Sequence, residues 1–518
     1  MNLKLMLEGV AGRYGKKTAI VSDDLRLSYT DLDETSNRAA NALIKMGVKK
    51  GDRIAMLLSN SPEFVIIYFG IVKTGAIPVP LDPKYKVGEL ASLFNDCLPK
   101  VLVAESSELE PLVPVLSGFK SIKRVIELGS KYKGQFLGYQ EIIAASSARR
   151  IDSEPAPEDI ALLLYTSASS FRPRGVMLSH RSLVMEAVMS GDGYQQTDKD
   201  IMMLFALPVY HVFGLVAVLL ASINKASTIV IVPGSGISIN SFLAVIERER
   251  GTMWLGVPYI FALAVDMAEK EGIKNDLSSL RLCASAGAPL SVDIIRRFKQ
   301  HYGFTLMDCW GLTEAVCHVT CSSLDGRGKP GSVGKALSEW EVRIVDGNGR
   351  ELPPNQSGEV IVRGPIMEGY YNNPQATAEV IKNGWLYTGD IGVVNEKGNL
   401  FLTGRKKETI IIKGQNVHPS DIEDVLSTHP KVAEAAVIGI PDELRGEVVG
   451  AVVVLKKGEI ATEQEIKRVC LENLASYKVP KQIIFMDSLP RTASGKIDKA
   501  SIRERLSIPP LFPEVAIS

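Results

Sequence analysis

Hydrophobic and polar positions recur with two different spacings along the first 340 residues of the chain. Alternation with a period of two predicts a β-hairpin over residues 18–29. Apolar runs over 52–59 and 76–79 are typical of buried strands, and a helix is predicted between them over 62–74. Strands that alternate with helices favour a parallel sheet covered by helices on both faces, in which ligands bind near the carboxyl ends of the strands.

The same pattern continues further along the chain. A helix is predicted to follow the hairpin, with Thr30 and Asp33 as its capping box. Further strands are predicted over 101–104, 160–164, 228–232 and 280–286. From about Val342 short strands and turns take over, with an Asp-Gly and an Asn-Gly dipeptide close together. These turns predict a β-rich subdomain over about 340–404.

A second, smaller α/β pattern follows Gly404. Its predicted elements are a helix, two strands and a helix, over 420–427, 433–438, 448–455 and 462–474. The predicted fold is therefore α/β, with a large N-terminal domain of helix-covered sheets over 1–404 and a small C-terminal α/β domain over 405–518.

The stretch 201–224 contains no Lys, Arg, Asp or Glu. It is long enough for a bilayer-spanning helix, which needs ~20 apolar residues. However, Pro208 and Gly214 interrupt its middle, and no cluster of basic residues flanks either end. We therefore predict a buried strand, loop and helix here, and no transmembrane segment.

The charge balance narrows the range of possible partners. The chain has 59 Lys and Arg residues against 59 Asp and Glu residues, so its formal net charge is zero. Nucleic-acid binding and attachment to an acidic membrane both need excess positive charge, and we expect neither. The 6 cysteines among 518 residues are too few for a disulfide scaffold, and no signal peptide precedes them. A reducing, cytoplasmic location is the expectation.

The segment 165–176, YTSASSFRPRGV, follows an apolar strand and combines hydroxyls with basic residues. Small polar side chains, backbone N–H groups and a cation are what a phosphate cradle requires. The candidate phosphate ligands are Thr166, Ser167, Ser169, Ser170 and Arg174. Taken alone, the segment fits a Ser-rich surface turn better than a phosphate cradle.

Four later motifs favour the phosphate cradle over the surface turn. They are DCWGLTEA at 308–315, GWLYTGDIG at 384–392, LTGRKKETIIIKGQNVHPSDIE at 402–423 and LPRTASGKIDK at 489–499. With the loop at 165–176 and in this order, they resemble the adenylate-forming superfamily of acyl-CoA synthetases, adenylation domains and luciferases over nearly the whole chain. Within it, the sequence is most similar to the AMP-forming acyl-CoA ligases.

The resemblance implies a reaction with two steps. A carboxylate attacks the α-phosphate of ATP to give an acyl-adenylate and pyrophosphate, and the thiol of CoA then displaces AMP. Both reactants of the first step are anions, so positioned cations must stabilise the charge that gathers on the phosphate. By similarity, Lys496 bridges carboxylate and α-phosphate, Thr313 contacts the α-phosphate, and Glu314 holds Mg²⁺.

The resemblance also implies an AMP site. In it, Asp390 accepts hydrogen bonds from the ribose hydroxyls, Arg405 donates to ribose or phosphate, and Trp310 stacks on the adenine. The implied AMP-binding residues are Gly287, Ala288, Pro289, Asp308, Trp310, Gly311, Thr313, Asp390 and Arg405.

For the acyl group, the resemblance places His211 at the carboxylate end of the pocket, although a lone histidine in an apolar stretch is as often a core residue. The candidate pocket residues, each of which also fits a role in the core, are Tyr210, Phe213, Val257, Tyr259 and Val316. An apolar acid is expected, while the choice among fatty, aromatic and alicyclic acids stays open.

The small domain is expected to rotate between the two steps about a hinge at Lys407. Rotation would withdraw Lys496 and bring Gly414 and Gln415 to the channel for the pantetheine arm of CoA. The predicted contacts with the CoA phosphates are Arg445 and Lys478. The sequence sets no oligomeric state.

The loop at 165–176 departs from the family pattern YTSGTTGxPKG. Ala168 and Phe171 stand where glycines are usual, and Arg174 replaces lysine. Side chains at positions that need left-handed backbone cost ~1–2 kcal/mol, so we predict slow adenylation relative to thioester formation. A natural specialisation and an altered loop both fit these changes. Two alternative functions stay open: an acyl-AMP ligase that serves a separate carrier protein, and a nucleotide-binding regulator with an impaired loop.

Overall fold

The structure is a computed structural model of the 518-residue chain. It describes residues 1–166, 174–232, 238–323, 329, 331–405, 409–491 and 497–509, without the side chains of Arg405 and Ser420. The structural statements below concern these residues.

The helices before residue 400 cover sheets or connect their strands. They are α1 Leu3–Tyr14, α2 Tyr29–Lys45, α3 Pro62–Thr74, α4 Val87–Cys97, α5 Ser106–Leu109, α6 Tyr139–Ala144, α7 His180–Gly193, α8 Ala221–Asn224, α9 Ile239–Glu249, α10 Pro258–Glu271, α11 Val292–Tyr302 and α12 Pro374–Val380. A π-helical segment over Phe213–Leu220 runs directly into α8. Together with the strand over Ile201–Leu204, this confirms the strand, loop and helix predicted for 201–224. Among the described residues, no helix combines the length and the apolar character that crossing a bilayer would need.

Local sequence signals fix both ends of α3. The Ser61 hydroxyl accepts a hydrogen bond from the Phe64 N–H at 3.1 Å, Pro62 occupies the first turn, and Gly75 ends the helix with φ of 76°. The capping prediction for α2 is wrong by half a turn. Ser28 and Asp31 form the reciprocal pair, because Ser28, the last residue of the hairpin, is itself the N-cap.

Three sheets are formed mainly by strands before residue 330. The largest has nine strands in the order β16-β15-β14-β13-β12-β10-β11-β1-β2, and its central pairs are parallel. A five-stranded parallel sheet has the order β4-β3-β5-β6-β7, and a smaller sheet has the order β19-β9-β8. Their strands are β1 Thr18–Ser22, β2 Leu25–Ser28, β3 Arg53–Leu57, β4 Ile77–Pro80, β5 Val101–Glu105, β6 Arg124–Leu128, β7 Leu137–Gly138, β8 Ile160–Thr166, β9 Arg174–Ser179, β10 Ile201–Leu204, β11 Thr228–Ile231, β12 Met253–Gly256, β13 Leu282–Ser285, β14 Leu306–Gly311, β15 His318–Cys321, β16 Lys335–Ala336 and β19 Gly369–Tyr370.

The predicted β-rich stretch forms an antiparallel sheet in the order β17-β18-β21-β20, with β22 paired to β21. Its strands are β17 Glu341–Val345, β18 Gly358–Arg363, β20 Ile381–Lys382, β21 Trp385–Val394 and β22 Leu400–Arg405. The last part of the chain has one more sheet, in the order β24-β23-β26-β25 with β27 beside β26. It comprises β23 Ile410–Ile412, β24 Gln415–Val417, α13 Pro419–Ser427, β25 Val432–Asp442, β26 Gly446–Leu455, α14 Glu463–Asn473, β27 Gln482–Phe485 and α15 Lys499–Arg505.

The buried apolar side chains also form separate clusters before and after about residue 400. The largest cluster extends from Leu3 to Leu400, and a separate cluster extends from Ile410 to Ile483. Helix-covered sheets, a β-rich unit and a small α/β unit confirm the predicted fold class. The predicted domain boundary at Gly404–Arg405 falls at the end of β22 and stays a prediction.

Candidate active site

The carboxyl ends of two neighbouring strands form one wall of a large cleft. β13 and β14 are parallel, with Ser285 opposite Asp308, so the segments that follow them meet at one edge of the sheet. The segment after β13 lines the cleft with Gly287, Ala288 and Pro289, and β14 lines it with Asp308, Trp310 and Gly311. With Thr313 and Asp390, which also line the cleft, the structure brings together eight of the nine predicted AMP-binding residues. Burial raises the pKa of the Asp308 carboxyl well above its usual range.

Trp310 and Asp390 are joined directly across the cleft. The indole Nε1 of Trp310 donates a hydrogen bond of 2.9 Å to Oδ2 of Asp390, and the Trp310 side chain is buried. The Asp390 backbone N–H donates to the Thr388 hydroxyl at 3.1 Å. β14 and β21 are therefore held together at the site by side chains that also line it.

Glu314 lies in a second polar group beside Thr313. The Tyr370 hydroxyl donates to Oε1 of Glu314 at 2.8 Å, and the Arg174 guanidinium lies 5.6 Å from the centre of the Tyr370 ring. Burial and the Glu314 carboxylate raise the pKa of Tyr370, so its hydroxyl keeps the proton that it donates. Tyr370 thus links the candidate metal ligand to the candidate phosphate-loop cation.

The ends of the phosphate loop are fixed by a strand pair. Thr166 ends β8 opposite Arg174, which begins β9, and both residues line the cleft. Ser167, Ser169 and Ser170 lie outside the described residues, as do Ala168, Phe171, the predicted hinge residue Lys407 and Lys496. The Arg405 backbone belongs to β22, opposite Asp390, while its side chain is not described.

A second cavity adjoins the cleft and lies between the first part of the chain and the turn at 413–416. Its lining includes Leu81, Asp82, Tyr85, Tyr210, Val257, Lys413, Gly414, Gln415 and Tyr477. We call this cavity the tunnel. Gly414 has φ of 80°, and an added Cβ would lie 2.4 Å from Cγ1 of Val257, so the turn can approach this closely only as glycine.

The cleft and the tunnel share part of their lining. The residues common to both are Thr166, His211, Val212, Phe213, Gly287, Thr313, Gly414 and Asn416. His211 lies at this junction, where Nδ1 accepts a hydrogen bond from the Phe213 N–H at 3.3 Å. Burial lowers the pKa of His211 to about 4. The neutral ring therefore carries its hydrogen on Nε2, which can donate to an oxygen at the junction.

Comparison with known proteins identifies the architecture. The model of the AMP-binding enzyme family matches residues 7–371, and that of the AMP-binding enzyme C-terminal domain matches 421–496. The chain belongs to the AMP-binding enzyme family. This result confirms the resemblance to the adenylate-forming superfamily.

Relatives of this AMP-binding enzyme carry different substrate names. An oxalate–CoA ligase of Arabidopsis thaliana is 32% identical over 96% of this chain and 97% of its own length. A long-chain-fatty-acid–CoA ligase of Bacillus subtilis is also 32% identical, over 97% of this chain and 94% of its own length. Because equal identities accompany an acid as small as oxalate and a long-chain acid, overall similarity does not select the acid.

Among solved structures, o-succinylbenzoate CoA synthetase from Bacillus subtilis is similar over nearly its whole length. A double mutant of that protein bound with its product analogue superposes with a TM-score of 0.85 at 28% identity, covering 96% of this chain and 98% of the other. A score this high over both parts of the chain means that the two parts have a similar mutual arrangement in the two structures.

The two predicted contacts with CoA phosphates lie in different surroundings. Lys478 is 2% exposed, and its Nζ lies 2.7 Å from Oε1 of Glu89 and 3.4 Å from Oδ2 of Asp421. A buried ammonium with two carboxylate partners is not available to a phosphate, so this assignment is corrected. Arg445 is partly exposed and pairs with Asp442 at 3.2 Å, and its assignment stays a prediction.

The predicted acyl-pocket residues do not all line the same cavity. Phe213 lines both cavities, whereas Tyr210 and Val257 line the tunnel only. Neither of the two cavities is lined by Tyr259 or Val316. The Tyr259 ring lies 4.4 Å from Nζ of Lys413, which lines the tunnel, and Val316 is fully buried. The assignment of these two residues to the acyl pocket stays a prediction.

Sequence reasoning missed Tyr370 and Asp82. Tyr370 reaches Glu314 because β19 pairs with the distant strand β9. Asp82 is buried, and its Oδ2 lies 3.5 Å from the amide nitrogen of Gln415. Burial raises the pKa of Asp82. An acidic residue two positions after the end of the apolar strand β4 was the available signal for Asp82.

Proposed function

We propose that the chain is an AMP-forming acid–CoA ligase that works through an acyl-adenylate. One observation carries the proposal: a cleft lined by the candidate nucleotide residues meets a tunnel at His211, Thr313 and Gly414. The reaction needs such a junction, because the acyl carbon must stay bound to AMP while a thiol approaches it from elsewhere.

In the first step a carboxylate oxygen attacks the α-phosphorus of ATP, and the bond to the β-phosphate oxygen breaks to release pyrophosphate. Asp390 and Trp310 orient the ribose and adenine, and Thr313 donates to the α-phosphate. Arg174 and Lys496 supply positive charge where both reactants are negative. His211 donates from Nε2 to the carboxylate, and its neutral state avoids a buried charge when the site is empty.

Glu314 is the proposed ligand of Mg²⁺. Tyr370 occupies Oε1 of this carboxylate, and an oxygen donor beside a phosphate site suits a cation that prefers hard oxygen ligands and keeps several waters. When bound, Mg²⁺ neutralises charge on the phosphate oxygens. Tyr370 holds the Glu314 side chain in its orientation, as partners of metal ligands commonly do.

In the second step the CoA sulfur attacks the acyl carbon, the thiol proton leaves, and the carbon–oxygen bond to the phosphate breaks to release AMP. The tunnel is the proposed path of the pantetheine arm, with Gly414 and Gln415 in one wall and Tyr85 and Tyr210 in the other. The contact of Gly414 with Val257 supports assignment of the present arrangement to this step. Rotation about Lys407 between the steps stays part of the proposal.

The acyl group is proposed to be apolar. The cleft lining that includes His211 also includes the apolar residues Val212, Phe213, Leu312 and Cys317. A fatty chain and an aromatic ring both fit such a lining. All six cysteines of the chain are described and free, which supports a reducing, cytoplasmic location.

The proposal is tested with a panel of aliphatic, aromatic and dicarboxylic acids, assayed for AMP release with ATP, Mg²⁺ and CoA. The expected result is release that requires both an apolar acid and CoA, with one molecule of thioester for each AMP. AMP release that requires a carrier protein in place of CoA would instead identify the chain as an acyl-AMP ligase. Nucleotide binding without turnover on any acid would contradict the enzyme assignment.

A further inference from the structure

Three charged side chains are buried together where the two parts of the chain meet. Nζ of Lys478 lies 2.7 Å from Oε1 of Glu89 and 3.4 Å from Oδ2 of Asp421, and each of the three side chains is at most 4% exposed. The Ala475 N–H donates to the second oxygen of Glu89 at 3.1 Å, and Nζ lies 5.1 Å from the centre of the Tyr85 ring. We call Glu89, Lys478 and Asp421 the clasp.

The members of the clasp come from opposite sides of the interface. Glu89 belongs to the first turn of α4, where it also accepts the Lys86 N–H at 3.0 Å, whereas Asp421 and Lys478 belong to the small C-terminal unit. Burial alone would lower the pKa of Lys478, but Tyr85 and the two carboxylates raise it overall, so the ammonium stays charged. If the small unit moved away, Lys478 would keep Asp421, and Glu89 would return to water. The clasp can therefore open without leaving an unpaired buried charge.

The clasp adjoins the tunnel wall. Tyr85, whose ring lies beneath Nζ of Lys478, and Tyr477, which precedes Lys478 in the sequence, line the tunnel together with Gln415. The amide nitrogen of Gln415 lies 3.5 Å from Oδ2 of Asp82, which is a second polar contact between the two parts of the chain. Both parts of the chain therefore contribute to the tunnel walls, and breaking the contact between Glu89 and Lys478 would allow these walls to move apart.

We propose that the clasp selects the arrangement in which CoA reacts: Glu89 and Lys478 are positioning residues for thioester formation and take no part in adenylation. This inference rests on the proposed two-step function. A buried ion pair of good geometry suits such a role, because its directional bonds favour one mutual orientation more sharply than apolar contact does.

Glu89→Gln is the most informative variant, because it weakens the clasp and leaves the Asp421–Lys478 pair within the small unit. Two rates are measured on the full-length protein: exchange of labelled pyrophosphate into ATP with acid alone, and thioester formation from supplied acyl-adenylate and CoA. We expect exchange within about twofold of the parent and thioester formation slower by at least about tenfold. The matched control is Glu110→Gln, which breaks an exposed pair with Lys131 in the same unit and should change neither rate.

Glu89→Asp separates positioning from simple charge burial, because it keeps the carboxylate charge and shortens the side chain that reaches Nζ of Lys478. If the clasp acts by positioning, Glu89→Asp also slows thioester formation, by at least about threefold, and leaves pyrophosphate exchange within about twofold of the parent. Thioester formation by Glu89→Asp at the parent rate would mean that the buried charge matters and the geometry of the contact does not, and would overturn the proposal. A parallel fall in both rates of Glu89→Gln would overturn it as well, since a general structural defect does not distinguish the steps.

Failure of the clasp can be told apart from failure of the proposed function. If the parent protein exchanges pyrophosphate and forms thioester while Glu89→Gln does both at the parent rates, only the clasp is wrong. If the parent itself does neither with any acid in the panel, the two-step function is wrong, and the clasp assignment fails with it.

Discussion

The indole Nε1 of Trp310 donates a 2.9 Å hydrogen bond to Oδ2 of Asp390, a residue 80 positions further along the chain. In the proposed reaction these two residues serve the adenine and the ribose of one nucleotide. The bond holds one carboxylate oxygen of Asp390 in a fixed position. The edge of the Trp310 ring is fixed in the same way, so the two subsites are positioned relative to each other before ATP binds.

Trp310→Phe should therefore weaken nucleotide binding although an aromatic ring remains. Loss of one hydrogen bond to a charged group that stays partly hydrated corresponds to about 1 kcal/mol, or about a fivefold increase in KM for ATP. The measurement is initial rate against ATP concentration. Trp385→Phe, whose ring packs against Arg343 and Arg363 at 4.6 and 4.8 Å, is the control and should leave KM unchanged. An unchanged KM for both variants would show that the bond has no role in the nucleotide site.

Tyr370→Phe should slow adenylation and raise its requirement for Mg²⁺. The substitution removes the hydroxyl that orients Glu314 while retaining the ring beneath Arg174. Loss of a partner of a metal ligand commonly costs about tenfold or more in metal affinity or activity. Pyrophosphate exchange measured over a range of Mg²⁺ concentrations gives the comparison, with Tyr371→Phe as the control. Equal Mg²⁺ dependence in Tyr370→Phe and the parent would argue against Glu314 as the metal ligand.

Adenylation should show no ionisation of His211 between pH 5 and 8, because burial lowers the pKa of this histidine to about 4. His211→Gln should lower the rate without changing the shape of the pH profile over this range. A step in the parent profile near pH 6.5 that His211→Gln removes would contradict a neutral donor at this position.

The lowered pKa of His211 should also make the folded protein less stable as the pH falls. Between pH 6.5 and about 4 the unfolded chain binds a proton at His211 that the folded chain does not bind, so the parent loses stability relative to His211→Gln as the pH falls. At pH 5 the difference approaches about 2 kcal/mol. Urea unfolding of both proteins at pH 7 and pH 5 measures it. A parent that gains stability relative to the variant at pH 5 would show that the sign is wrong.

Restoring glycine at Ala168 and Phe171 should accelerate adenylation. Side chains at these positions restrict left-handed backbone and close approach to phosphate, at ~1–2 kcal/mol each if such conformations are needed. The double variant should raise pyrophosphate exchange by about tenfold or more and leave thioester formation from supplied acyl-adenylate unchanged. If exchange stays at the parent rate, glycine flexibility does not limit this step.

The parts of the fold that the sequence predicts best are those with local signals. Helix α3 has the predicted bounds because Ser61, Pro62 and Gly75 determine its ends without help from distant residues. The strands of the α/β units agree within a few residues for the same reason, since buried strands form apolar runs. The cap of α2 was placed wrongly because two hydroxyl–carboxylate pairs of equal spacing overlap, Ser28 with Asp31 and Thr30 with Asp33.

The candidate site is less accessible to sequence reasoning where it depends on long-range pairing. Family motifs identify Trp310 and Asp390 as candidate site residues, but they do not indicate the hydrogen bond between the two side chains. In the sequence, Tyr370 is part of an ordinary turn segment, and only the pairing of β19 with β9 brings it to the site. Lys478 has the sequence surroundings of a surface lysine, and only the approach of α4 buries it against Glu89. Charge and spacing along the chain cannot show which partner will cover a lysine.

In the proposed reaction a carboxylic acid is activated as its adenylate with the help of Lys496. The most direct measurement is acid-dependent exchange of labelled pyrophosphate into ATP, without CoA, by the parent and by Lys496→Ala. We expect exchange in the parent and a loss of about a hundredfold or more in the variant, which should still form thioester from supplied acyl-adenylate. Equal exchange in the two proteins would contradict this role of Lys496.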